Sequence, residues 1–192
     1  RRVLFRSYEE SIRVPFLIHY PQAFGKVGGT SEVLLNSPDI MPTLLGLCGI
    51  PVPKSVEGVD FSGALRGIKK NKVNQTLISC IQPAGQWSRR NGGKEYRGIV
   101  TQRYTYVRDL KGPWLLFDNT NDPFQMTNLV NNVAYKKIQK DLDKALNKEL
   151  GKRKDDFLPG MTYIKKWNYL VDETETVPYK KVNYEGKPIV EE

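Results

Sequence analysis

Apolar residues in this chain come in short runs whose period changes along the sequence. Val14 and Phe16 to Ile18 form a near-continuous apolar run between the charged head Tyr8-Glu9-Glu10 and the exit His19-Tyr20-Pro21. That is the pattern of a strand covered on both faces. A strand of this kind needs a sheet on either side, and nothing ahead of it in residues 1–13 supplies one. The chain therefore reads as the back part of something larger. Val33 to Leu35 reads as a second, shorter strand. From Ser37 the period lengthens: Ile40, Leu44 and Leu47 fall on one face at helical spacing and predict a core-packed helix over Ser37 to Cys48. Ser37 or Asp39 suits its cap, Pro38 or Pro42 is tolerated in the first turn, and Gly49 suits a left-handed stop. Residues 54–72 read as irregular, anchored by Phe61 and Leu65 and ending in a basic turn at Lys69, Lys70 and Lys72.

Beyond that turn the alternation shortens to period two. Leu77 to Ile81, Ile99 to Thr101, Tyr104 to Arg108 and Trp114 to Phe117 read as strands, the last three joined by short loops as in an antiparallel meander. Aromatic and β-branched residues favour the same assignment. Between the first two strands, Gln82 to Tyr96 is polar, carries Gly85, Gly92 and Gly93, and reads as a long loop. Val133 to Arg153 then shows an apolar stripe through Ile138, Leu142, Ala145, Leu146 and Leu150, with lysines opposite. A long helix laid on one face of a small antiparallel sheet buries both apolar surfaces. The remaining residues read as a surface-wrapping tail, with Trp167, Tyr169, Tyr179 and Tyr184 as candidate anchors. The fold class is thus α/β with an α+β C-terminal part. Residues 1–72 are expected to be the end of a larger mixed-sheet domain, and residues 73–192 a small α+β subdomain with its tail.

Composition narrows this only a little. Over 192 residues, 39% are hydrophobic and 27% charged, which are globular values. The net charge of +9 favours an anionic partner through its long-range field, although solubility alone also accounts for lysine-rich helices. No apolar run approaches the roughly 20 residues that cross a bilayer, so no membrane partner is expected. No basic head with an apolar signal core opens these residues, which says nothing of what precedes them. Cys48 and Cys80 are the two cysteines and show no metal spacing. Both read as buried thiols, with a single bridge as the alternative.

Four stretches, in order, resemble the sulfatase family. The first is Tyr8 to Pro21, an aromatic-acidic pair ahead of Arg13-Val14-Pro15 and an apolar run. Next come Asp39-Ile40-Met41-Pro42-Thr43 to Pro51 with Glu57-Gly58-Val59-Asp60-Phe61, then Tyr96 to Val107, and finally Leu116 to Leu129 around Asp122-Pro123. The resemblance implies the arylsulfatase-like branch of the alkaline phosphatase superfamily, and its C-terminal portion. It implies hydrolysis of aryl or carbohydrate sulfates and export to the periplasm or outside the cell. Such enzymes carry a formylglycine made from the Cys or Ser of a Cys/Ser-x-Pro/Ala-x-Arg motif, and a calcium ion held by Asp and Asn. Neither Cys48-Gly49-Ile50-Pro51 nor Cys80-Ile81-Gln82-Pro83 fits that motif. Nucleophile and metal are therefore expected upstream, in the remainder of the catalytic domain, and these residues alone are expected to be inactive. The family's lysine before the aromatic-acidic pair has no clear counterpart among Arg1, Arg2 and Arg6.

The long loop holds the candidate substrate contacts. Relatives direct the loop entering this sheet towards the active-site mouth, and Gln86, Trp87, Arg89 and Arg90 have suitable chemistry. Paired guanidiniums fork onto sulfate, and an indole face stacks on a sugar ring. The plain alternative is a solvated surface loop. His19 reads as the polar end of a strand. Asp118, Asp122 and Asn128 offer oxygen ligands, but without the spacing of a calcium loop they read as turn and cap residues. Two other functions fit less of the sequence. One is a phosphodiesterase or phosphonate hydrolase of the same superfamily. The other is a basic module for a polyanion, though its positive residues are not gathered with aromatics on one face as nucleic-acid binding requires.

Overall fold

The period-two alternation after Val73 becomes a four-stranded antiparallel sheet in order β1-β2-β3-β4. The computed structural model describes residues 8–25, 28–70, 73–81 and 93–171. The strands are β1 (Gln75–Cys80), β2 (Tyr96–Thr101), β3 (Tyr104–Asp109) and β4 (Gly112–Asp118). Register puts Leu77, Ile99, Tyr106 and Leu116 in one row across the sheet, and Ile78, Gly98, Val107 and Leu115 in the next. Successive side chains point to opposite faces, so these rows belong to two different cores. Gly98 is needed where it stands: a Cβ there would lie 2.9 Å from Ile78 Cγ1 and 2.8 Å from the Tyr106 carbonyl. The two-residue turn from β2 to β3 is tied by Thr101 Oγ1, which accepts the Tyr104 amide at 2.8 Å.

The long helix, α5 (Lys136–Lys152), covers the first face, entered through a 3₁₀ turn at Val133–Tyr135 that Asn132 caps. Leu142, Leu146 and Leu150 pack on Ile99, Tyr106 and Leu116, and Ile138 and Ala145 fill the margin. The stripe lies where the sequence places it. The Tyr106 hydroxyl, which this packing would otherwise bury without a partner, donates to Asp143 at 2.8 Å. On the other face Tyr96, Val107, Leu115 and Phe117 are buried, and the ring of Tyr8 sits 5.4 Å from that of Phe117.

The first third departs from expectation. No buried strand forms at Val14 to Ile18. One turn of helix, α1 (Glu9–Ile12), precedes it and another, α2 (Pro21–Phe24), follows it, while Val14 and Leu17 are 77% and 93% exposed. No strand lies alongside to complete a ladder among the described residues, and Pro15 lacks a donor, so the backbone has no reason to extend. Val33 to Leu35 is not a strand either; the Leu35 amide turns back onto the Val33 carbonyl.

The next helix, α3 (Ser37–Leu47), forms as predicted and stops at Gly49, whose φ is +72°. Its cap is Asn36 rather than Ser37 or Asp39, with Asp39 returning the bond to the Asn36 amide in a capping box. The buried face differs too. Asp39, Pro42, Thr43 and Leu47 turn inward, while Leu44 is 43% and Met41 55% exposed. Hydrogen bonds choose that face: Asp39 Oδ1 accepts the Val59 amide at 2.8 Å, and Thr43 Oγ1 accepts that of Phe61 at 3.0 Å. These bonds draw in α4 (Ser62–Leu65), and Phe61 is buried as the sequence predicts. Pro42 leaves the Pro38 carbonyl without its helical donor, and Gly58 packs so closely there that a Cβ would come within 1.9 Å of that oxygen. The Asn36 side-chain amide meanwhile donates to Thr76 Oγ1 and the Leu77 carbonyl of β1, fastening α3 to the sheet edge.

Leu146 has no solvent exposure and sits at the centre of the sheet–helix core. Leu146→Ala is expected to cost about 3 kcal/mol, measured by urea unfolding of the folded protein.

Candidate functional site

Gln86, Trp87, Arg89 and Arg90 lie outside the described residues, but the base of their loop is described. It leaves the sheet at the closing pair Cys80–Tyr96. Arg97, only 2% exposed, holds this point: its Nη1 donates to the Cys80 and Tyr96 carbonyls at 3.1 and 3.0 Å. Its Nε donates to Asp155 Oδ2 at 2.5 Å, and its plane lies 4.7 Å from the Phe157 ring centre. Asp155 also accepts the Tyr163 hydroxyl at 3.0 Å and the Phe157 amide at 2.9 Å. Burial works to raise the Asp155 pKa, yet the hydrogen bonds and charge of Arg97 hold it below the usual carboxylate range.

On the other side of the base, Lys94 Nζ donates to Asp109 Oδ2 at 2.6 Å and stands 4.8 Å over the Trp114 ring. Tyr96 is pushed up to about 12 by burial, with Cys80 adding to the shift. A hollow of about 450 Å³ opens beside the base, lined in part by Ile81, Tyr163, Trp167 and Tyr169. Trp167 and Tyr169 are exposed rather than the anchors the sequence suggests. Tyr163 and Ile164 of a short helix, α6 (Gly160–Lys166), are buried instead. This helix escapes the sequence reading because its glycine start and short length give little periodicity.

A second polar centre was not anticipated. Gln125, buried and at φ +50°, accepts the Glu9 amide at 2.8 Å and donates to Asn119 Oδ1 at 2.8 Å. The Asn119 amide donates to Thr105 Oγ1 at 2.9 Å and, at 3.4 Å, to Glu9 Oε1. This chain of bonds latches the start of α1 to the sheet. The only signal for it in the sequence is the stretch around Asp122-Pro123, which names the residues without their partners.

The candidate oxygen ligands do not fit calcium, because each is already engaged. Both Asp118 oxygens accept from Arg103, and Asn121 adds a further bond. Asp122 Oδ2 accepts the Thr127 amide, and Asn128 Oδ1 accepts those of Leu116 and Val130. Among the described residues no group of three His, Cys, Asp or Glu could hold a metal ion. His19 is exposed at the end of an irregular segment. Cys48 is exposed rather than buried, Cys80 is half-buried, and both are unbridged. Among the described residues these groups are therefore not assembled as a nucleophile or a metal site.

The profile of the family described as N-sulphoglucosamine sulphohydrolase, C-terminal, matches residues 3–152. The chain belongs to the sulfatase family. It is 37% identical over 179 residues to an ulvan-active sulfatase of Formosa agariphila, covering 92% of this chain and 34% of that protein. It is 34% identical over 161 residues to an arylsulfatase of Clostridium perfringens, covering 82% and 32%. A solved structure of a protein in complex with its substrate D-glucosamine-2-N,6-O-disulfate superposes with a TM-score of 0.69. That match is at 26% identity, covering 79% of this chain and 31% of that one. The chain thus spans about a third of the length of these sulfatase relatives.

Asp118 lies below the usual carboxylate range chiefly through its hydrogen bond from Arg103, and Asp155 through Arg97 against the opposing effect of burial. A carboxylate lowered in the folded state stabilises the fold above its unfolded pKa of about 4, and loses that contribution as pH falls through the folded value. Thermal midpoints are expected to be flat from neutrality down to about pH 5 and to fall below it. Asp118→Asn should lower the neutral-pH midpoint and make the acid decline shallower, as followed by melts across pH.

Proposed function

We propose that these residues form the C-terminal part of an enzyme that hydrolyses sulfate esters of carbohydrates. They complete its fold and shape one wall of its substrate cleft. The formylglycine and calcium belong to the part of the enzyme outside this sequence. The reading rests on the family match together with one structural observation: the described surface is apolar where an isolated domain has no use for it. Ile40, Met41, Leu44 and Leu45 line an open groove of about 560 Å³ on the outer side of α3, and Val14 and Leu17 are exposed on the segment between α1 and α2. Contiguous exposed apolar surface marks a binding face. Its occupant is the rest of the sulfatase domain, the two-thirds of the relatives' length that this chain does not match.

Carbohydrate sulfates are favoured over simple aryl sulfates. One relative is named for ulvan, and the solved neighbour holds a sulfated glucosamine. Arg89 and Arg90 are proposed to hold the substrate's sulfate or carboxylate, with Trp87 against a sugar ring and Gln86 on a hydroxyl.

The full-length enzyme is expected to release sulfate from sulfated monosaccharides. Arg89→Ala with Arg90→Ala should raise KM on the order of tenfold, as for loss of a charge-assisted contact worth about 1.5 kcal/mol. Unchanged kcat and KM would remove the loop from the site. A second expectation tests the buried face. In the full-length enzyme Leu44→Asp should destabilise by about 2 kcal/mol or more because a charge enters an apolar contact. A solvent-facing position would change stability by no more than about 0.5 kcal/mol, so a small effect on the melting midpoint would place α3's outer side in water.

A further inference from the structure

The helix that closes the sheet has a second face with its own chemistry. Lys136, Lys137, Lys140, Lys144 and Lys148 are all exposed. At about 100° per residue they fall within a sector of about 120°, centred about 140° from the Leu142–Leu146–Leu150 stripe. No acidic residue shares that sector. Asp143 borders the sector on one side and Glu149 lies towards the core, and both are engaged, Asp143 by Tyr106 and Arg108, Glu149 by Lys152 and Arg153. Asp141 borders the sector. None of the five lysine side chains has a hydrogen-bond or ion-pair partner among the described residues. They run for about 18 Å along the helix, roughly one cation per turn.

We infer that this lysine row is a binding track for a sulfated polysaccharide, separate from the cleft, that holds polymeric substrate on the enzyme. The inference rests on the reading of the protein as a glycan sulfatase. Three features carry it. First, the row is exposed and unpaired among the described residues, and burying unpaired ammonium groups is costly; the apolar side of α3 is the better-suited face for the proposed contact with the rest of the enzyme. Second, unpaired like charges at successive turns destabilise a helix by a few tenths of a kcal/mol per pair, and a linear polyanion relieves that repulsion. Third, the sector holds no aromatic residue and no arginine. Single-stranded nucleic acid is held by stacking and base edges are read by forked donors, neither of which is present. Lysine suits the point charges of sulfates spaced along a chain.

The test compares full-length enzymes. One carries Lys136, Lys140, Lys144 and Lys148 all changed to Gln, one has all four changed to Arg, and a control has Lys54, Lys69, Lys70 and Lys111 changed to Gln. Retention on immobilised dextran sulfate, followed across salt, should fall for the first alone, its log–log salt slope dropping by about one for each lysine lost. KM for a sulfated polysaccharide should rise on the order of tenfold at low salt, with KM for a sulfated monosaccharide and kcat unchanged. The Arg variant should match the parent. Three results would overturn the track: retention and polymer KM unaltered, equal loss in the control (net charge alone), or parent binding duplex DNA more tightly than dextran sulfate at the same salt. An enzyme that releases sulfate from no substrate would instead refute the sulfatase reading, and retention would still decide the lysine row.

Discussion

A guanidinium sealed from water is the joint on which the sheet, the long helix and the loop base all depend. Arg97 sits in β2, yet it bonds the last carbonyl of β1, a carboxylate just past the end of α5, and the faces of Phe157 and Tyr163. A buried charge is tolerated only when its donors are met and its counter-charge is fixed. Here that condition fixes four pieces of chain at once. Asp155 can reach Arg97 only if α5 ends where it does, and α5 ends there only if the Leu142–Leu146–Leu150 stripe is seated on Ile99, Tyr106 and Leu116. Apolar burial supplies most of the stabilisation, while the ion pair selects the register. Between them they fix the closing pair Cys80–Tyr96 at the base of the loop.

The same division of labour recurs in the first third of the chain. Apolar residues surround much of α3, so burial alone does not choose a side. Asp39 and Thr43, by capturing the Val59 and Phe61 amides, choose it. Gln125 does the same for the segment around Tyr8 by taking the amide of Glu9. In each case a polar side chain with a fixed number of bonds to make decides where an apolar surface goes.

This explains which parts were legible in the sequence. Strands β1 to β4 and helix α5 follow from period and composition, because each element's apolar face is met by another face in the same 192 residues. The helix at Ser37–Leu47 was legible in its length and its Gly49 stop but not in its buried side, since hydrogen bonds to a segment twenty residues away set the rotation. The run at Val14 to Ile18 reads as a buried strand because its composition demands cover; among the described residues no strand covers it, and it stays irregular with Val14, Phe16 and Leu17 exposed. Of the site, the resemblance reached the family; its candidate contacts Gln86, Trp87, Arg89 and Arg90 lie outside the described residues. The Gln125 latch and the Arg97 joint depend on pairings between residues far apart in sequence, which no local pattern records.

Two parts of this surface differ in kind: the outer side of α3 exposes carbon, and the outer side of α5 exposes five lysines. Met41, Leu44, Val14 and Leu17 expose carbon on segments that precede the sheet, whereas the unpaired lysines stand on the outer side of α5. A domain selected only for solubility gains nothing from such separation, since interspersed charges of both signs serve better. Separation follows if one surface is meant to lose water permanently against a protein core and the other to stay wet and meet anions. The sheet's own two cores are likewise separate: its α5-side core and its Tyr8-side core share no residue. On the proposed reading, changes to the lysine face would tune attraction to a polymer without touching the apolar side, where complementarity to the rest of the enzyme would leave little freedom.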